Sequence, residues 1–89
     1  MRYLAYPLVV ALLSLGACAS QEKLAKEARI SQEQATRTAE SSVGGRAKET
    51  HLERENGRTV YEVELVDRHD NTQTVWVDAQ TGRIIKKDR

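Results

Sequence analysis

Phenylalanine is absent from the 89 residues, and tryptophan occurs once, at Trp76. Of the three tyrosines, Tyr3 and Tyr6 fall in an apolar N-terminal run, so the rest of the chain has Tyr61 alone. A domain of roughly 60 residues with so few large side chains should be only marginally stable by itself. Cysteine also occurs once, at Cys18, so that thiol has no partner within the chain. Charge of one sign is missing as well: 14 basic residues stand against 13 acidic ones, a formal net charge of +1. No basic patch with interleaved aromatics exists, which excludes nucleic acid as an expected partner. There is no phosphate-cradling glycine loop, since Gly44-Gly45 ends a helical pattern instead of opening one. Asp67, His69 and Asp70 lack the alternating oxygens and central glycine of a calcium loop, and no Cys/His spacing suits zinc. The only histidines, His51 and His69, read as solvated surface groups with no nucleophile to activate. The expectation is therefore no catalytic residue, no metal and no cofactor.

The N-terminus reads as an address. Met1-Arg2 is a short positive start, and Tyr3 to Leu15 is nearly all apolar. That run is shorter than the roughly 20 residues a membrane span needs, and it has the layout of a secretory signal. Leu15-Gly16-Ala17-Cys18 resembles the bacterial lipobox, which predicts a signal peptide over 1–17 and lipidation of Cys18. Ala17-Cys18-Ala19 also fits ordinary cleavage before Ser20, which would release a soluble periplasmic or secreted protein. An unpaired thiol in an oxidising compartment favours the lipidated form. In lipoproteins of this kind an Asp after the cysteine favours inner-membrane retention. Ala19 stands there instead, so the expected location is periplasm-facing, anchored to the outer membrane. Losing Arg2 with the signal leaves 13 basic and 13 acidic residues. Residues 18–29, charged and Ala-rich with Leu24 as the one large apolar side chain, read as a loosely helical, lipid-anchored spacer.

The domain is expected over residues 30–89. Ser31-x-x-Gln34 is a capping box with Ile30 placed to staple against Ala35. Ala35, Thr38, Ala39, Ser42 and Val43 then share one helical face, and Gly44-Gly45 can end it. Asn56-Gly57 between strand-like runs predicts a two-residue hairpin with Glu55 facing Arg58, Leu52 facing Tyr61 and Thr50 facing Val63. Tyr61, Val63 and Leu65 then share the buried face with Leu52. His51, Glu53, Glu62 and Glu64 take the solvated one. Ala47 fits that register poorly and implies a bulge or a loose start near Lys48. After the polar turn 67–72, Val75 is set opposite Leu65 and Val77 opposite Val63. Asp78 can then hold the next turn through its side chain, and Gly82 can supply a positive φ. A last short strand, Arg83 to Lys86, brings Ile84 or Ile85 inward. The fold class is α+β: one N-terminal helix on a small curled antiparallel sheet, a meander of three or four strands.

In that register Trp76 points away from the core beside Val66 and Val60, a candidate partner-binding anchor. The competing reading has Trp76 folding over the outer face to cover it, or lying in the core if the register is off by one. The sheet edge is a second candidate contact, open to an added strand.

Five short motifs occur in order: Ile-Ser-x-x-x-Ala from Ile30 to Ala35, Gly44-Gly45, Glu53-Arg54-x-x-Gly57, Tyr61-Glu62-Val63, and Val77-Asp78-Ala79-x-Thr81-Gly82. Together they resemble the PepSY domain, a small module of secreted and membrane-attached bacterial proteins. The resemblance marks Tyr61, Val63, Val77, Asp78 and Gly82 as structural motif residues. It implies a non-catalytic envelope protein that binds or restrains a peptidase or another periplasmic protein, held to the membrane through Cys18. The alternative is an envelope-structural or small-ligand-sensing lipoprotein with no peptidase partner, favoured by a pocket between helix and sheet. One departure stands out: Thr36, Arg37 and Thr38 occupy helix positions where the family carries aliphatic bulk.

Overall fold

The computed structural model describes residues 21–88, so the signal segment, Cys18 and both candidate cleavage sites lie outside the described residues. The elements are α1 (residues 21–27), α2 (Gln32–Val43), β1 (Gly45–Glu55), β2 (Arg58–Asp67), β3 (Thr72–Asp78) and β4 (Ile84–Asp88). The four strands form one antiparallel sheet in sequence order, a meander with the helices on one face.

The capping box starts α2 as its sequence predicts. Ser31 Oγ accepts from the Gln34 N–H at 3.1 Å, and Gln34 Oε1 accepts from the Ser31 N–H at 3.0 Å. Gly44 ends the helix at φ 68°, a left-handed cap that costs glycine little, and its N–H reaches the Glu40 carbonyl. Ala35 and Ala39 are fully buried. Because these side chains are so small, the helix lies flush on Leu52, Tyr61, Val63, Leu65, Val75, Val77 and Ala79. Thr36, one of the departures from aliphatic bulk, is used as a polar link: its hydroxyl pairs with that of Thr50 at 2.9 Å.

The hairpin register is the expected one, with Glu55 opposite Arg58, Leu52 opposite Tyr61 and Thr50 opposite Val63. Asn56 and Gly57 both have positive φ, as a two-residue hairpin loop with the right twist requires. The bulge falls between Ala47 and Glu49, and the freed Ala47 N–H donates to Glu40 Oε2 at 2.8 Å.

The next pairing corrects the sequence reading by two residues. Val75 lies opposite Val63 and Val77 opposite Tyr61, leaving Gln73 opposite Leu65. The cause is the turn. The Asp67 N–H donates to the Asn71 carbonyl, and the Asp67 carboxylate accepts from the His69 and Asn71 N–H groups. Asp70 completes the reversal at φ 64°. This tight loop of Arg68, His69 and Asp70 draws β3 two positions along β2. A shift of two keeps parity, so Val75 and Val77 still face the core.

At the far end of β3, Asp78 Oδ1 accepts from the Gln80 and Thr81 N–H groups, and Gly82 closes the turn at φ 79°. Strand β4 begins at Ile84 and runs to Asp88, later than the Arg83–Lys86 expected. Ile84 pairs with Val77 and packs on the core, while an irregularity beside it leaves Ile85 exposed.

A second correction concerns the segment read as a spacer. Residues 21–27 are helical, and Leu24 and Ala28, four apart, pack against the core. Gln21 Nε2 donates to the Leu52 carbonyl, and the N–H groups of Arg29 and Ile30 both donate to the Ala79 carbonyl. Tyr61 adds its hydroxyl to the Ile30 carbonyl at 2.9 Å. Part of the stretch upstream of residue 30 is thus built into the domain.

Candidate functional site

Alternation along the strands places His51 and Glu53 of β1, Glu62 and Glu64 of β2, Trp76 of β3 and Lys86 of β4 on the face away from the helices. Trp76 takes the outer position expected for it, but only 9% of it is exposed. Lys86 Nζ sits 4.4 Å from the centre of its ring and also pairs with Glu55 at 2.9 Å, while the indole N–H donates to Glu53 Oε1 at 3.3 Å. Val60 is fully buried and Val66 half-buried, four strand positions from Glu62, which faces Trp76. The exposed apolar anchor expected from Trp76, Val66 and Val60 is therefore not presented. The indole covers the sheet, the competing reading of the sequence. The cause is the two-residue slide of β3, together with a lysine and a glutamate that close over the ring.

Beside the indole, His51 Nε2 lies 2.7 Å from Glu62 Oε1 and 3.4 Å from Glu53 Oε2. Ligand atoms of these three side chains all lie within 4.8 Å of one another. Burial pushes the Glu62 carboxyl above its usual range, and repulsion from Glu53 adds to it; His51 acts in the opposite sense. Strand alternation in the sequence assigns these residues to one solvent-directed face. The signal for their convergence was present: the hairpin register sets His51 opposite Glu62, and Glu53 is two residues along the same face.

A second candidate surface lies at the opposite end of the domain from the Asp67 turn. It is an open cleft of about 570 Å³, bordered by Lys26, Arg29, Arg54, Arg58, Glu27 and Asp78 among others. Glu27 organises one wall. It accepts from Thr59 Oγ1 at 2.6 Å and from Arg54 Nη2 at 2.8 and 2.9 Å. Arg58 pairs with Asp78 across the other wall at 3.2 Å. Both acids are thus satisfied, while Lys26 and Arg29 have no carboxylate partner among the described residues. The cleft rim carries surplus positive charge.

The hydrogen bond from Thr59 and the ion pair with Arg54 hold the Glu27 carboxyl below its ordinary value of 4.5. A carboxyl lowered in the folded state adds stability above its unfolded value and loses it as pH falls through the folded one. Acidification below about pH 4.5 should thus loosen α1 from the hairpin. Thermal melts from pH 7 to pH 3 are expected to fall more steeply for the wild type than for Glu27→Gln. Parallel curves would contradict the assignment.

A family model described as "Peptidase propeptide and YPEB domain", PepSY, matches residues 29–88. Among solved structures, the YpmB protein from Bacillus subtilis is similar, with a TM-score of 0.62 and 33% sequence identity. That match covers 72% of this chain and 50% of YpmB, so the chain spans about half the length of that relative. No curated protein matches it.

Proposed function

The chain belongs to the PepSY family, and on that premise we propose a non-catalytic envelope lipoprotein whose domain binds or restrains a peptidase or another envelope protein. PepSY domains are generally non-catalytic, and the family's description refers to peptidase propeptides, which supports a peptidase as the partner class. The observation that carries the binding role is a contrast between interior and surface. Ala35, Ala39, Val63, Leu65, Val75 and Val77 are all fully buried, so the contact of α2 with the sheet is closed to solvent. Pockets for small molecules are concave, mostly apolar and enclose their ligand. The cleft bordered by Lys26 and Arg29 is open and polar instead, a shape suited to a protein segment bearing carboxylates.

Affinity capture from envelope extracts tests this reading. The wild-type chain should retain one dominant partner, and the Lys26→Glu/Arg29→Glu variant should lose most of it, roughly tenfold or more for two rim charges turned repulsive. Equal capture by both would refute the cleft, and capture of nothing specific would refute the binding role. The lipid anchor is tested separately by the mass of the N-terminal peptide. An acylated peptide beginning at Cys18 supports it, and one beginning at Ser20 contradicts it.

A further inference from the structure

We propose that His51, Glu53 and Glu62 form a binding site for a divalent transition-metal ion of the zinc class on the outer face of the sheet. Acidic side chains on a surface are common, and alone they would carry little. This group differs in having an imidazole nitrogen between two carboxylates that approach it from two strands. His51 and Glu62 are backbone partners across β1 and β2, and Glu53 follows on the same face of β1. All three side chains therefore rise from sheet backbone, which fixes the spacing of their Cα atoms and the face they share.

The distance between His51 and Glu53 suits the chemistry. Two ligands about 2.1 Å from a tetrahedral zinc lie about 3.4 Å apart. His51 Nε2 and Glu53 Oε2 are 3.4 Å apart already. The 2.7 Å contact to Glu62 Oε1 is a hydrogen bond or ion pair through the Nε2 proton, and it opens by about 0.7 Å once a metal takes the place of that proton. From an imidazolium the Nε2 proton leaves to solvent, and from a neutral imidazole it is exchanged for one on Nδ1; either way a neutral ring donates its Nε2 lone pair to the ion. Trp76 serves as the outer partner of Glu53: its N–H occupies Oε1 and leaves Oε2 turned toward His51. Next to the site, a hollow of about 130 Å³ lined by Glu49, His51, Glu62, Glu64 and Thr74 leaves room for water to complete the coordination. Glu49 and Glu64 add negative charge there without having to ligate. Nitrogen in the ligand set selects zinc-like ions over calcium or magnesium, which take oxygen.

Equilibrium dialysis of the full chain against Zn²⁺ decides the matter, with tryptophan fluorescence as a second reading because Trp76 is the one indole and touches Glu53. The expected result is one saturable Zn²⁺ per chain and a fluorescence change with the same midpoint. Excess Mg²⁺ should not displace the ion. His51→Gln and Glu62→Gln should each weaken binding at least tenfold, while His69→Gln and Cys18→Ser leave it unchanged. Matching thermal melts identify which of the two variants is folded, and either one suffices. No saturable binding up to about 1 mM, full affinity in a folded His51→Gln or Glu62→Gln chain, or loss of binding in Cys18→Ser would each overturn the site.

Discussion

Leu65→Ala is expected to lower the melting temperature by roughly 10 °C or more, enough to leave much of the protein unfolded at growth temperature. Leu65 has no exposed surface and is the largest of the fully buried side chains. It lies toward the C-terminal end of β2, a strand paired on both sides, and packs in the cluster shared by α2 and the sheet. Its neighbours cannot collapse into the space it leaves. Opposite it stand the backbone of Ala47 at the bulge and the polar Gln73. Removing a buried leucine costs about 2–5 kcal/mol, against a total of about 3–9 kcal/mol for a domain of this size. Ile85→Ala is the control, since that side chain is 38% exposed and should change stability by less than about 0.5 kcal/mol. Urea or thermal unfolding followed by Trp76 fluorescence measures both. Equal midpoints for the two variants would mean that the core lies elsewhere.

Ala39→Leu is expected to destabilise by about 1–3 kcal/mol, although it adds apolar surface to a protein short of it. Ala39 is fully buried against the sheet, and the flush contact of α2 depends on a side chain of that size. Leucine there must either leave its preferred rotamer or push the helix outward, which would strain the capping box at Ser31 and the Thr36–Thr50 link. The result bears on function as well as on stability. A chamber between helix and sheet, of the kind a small-ligand sensor needs, would accept the added methyl groups at no cost. An Ala39→Leu protein as stable as the wild type would thus revive that alternative, and a destabilised one is what a filled interface gives.

Much of this architecture was legible in the residues, for reasons that are local. Ser31, Gln34 and Gly44 set the ends of α2 through their own backbone contacts. Asn56-Gly57 fixes the hairpin register because a two-residue loop admits only one pairing. The β2–β3 register was not legible to the residue, because it depends on how Asp67 folds its side chain into the turn, and sequence composition gives only parity. The packing of the helical segment ahead of Ile30 onto the domain was not legible because a single leucine looks like a tether. The Leu24–Ala28 spacing and the reach of Glu27 to Thr59 become meaningful only once the sheet is in place. Trp76 shows the same limit for the candidate site. Its face follows from alternation, but its burial comes from Lys86 and Glu53, residues 10 and 23 positions away in sequence.

These observations separate the domain's two ends and faces by chemistry. The helix-covered face supplies the fold, the outer face gathers carboxylates around His51, and the hairpin end presents Lys26 and Arg29, which have no carboxylate partner among the described residues. A partner that met the hairpin end would approach α1 directly, and α1 follows the segment carrying Cys18. A lipid anchor at Cys18 would accordingly hold the cleft near a membrane surface.

The most direct test is site-specific photo-crosslinking in living cells, with the probe placed at Gln80 on the cleft rim or at Thr72, also exposed, at the other end of β3. The account predicts one dominant protein adduct from position 80 and none from position 72. Adducts of equal strength from both positions, or none from either, would contradict a binding module that works through this cleft.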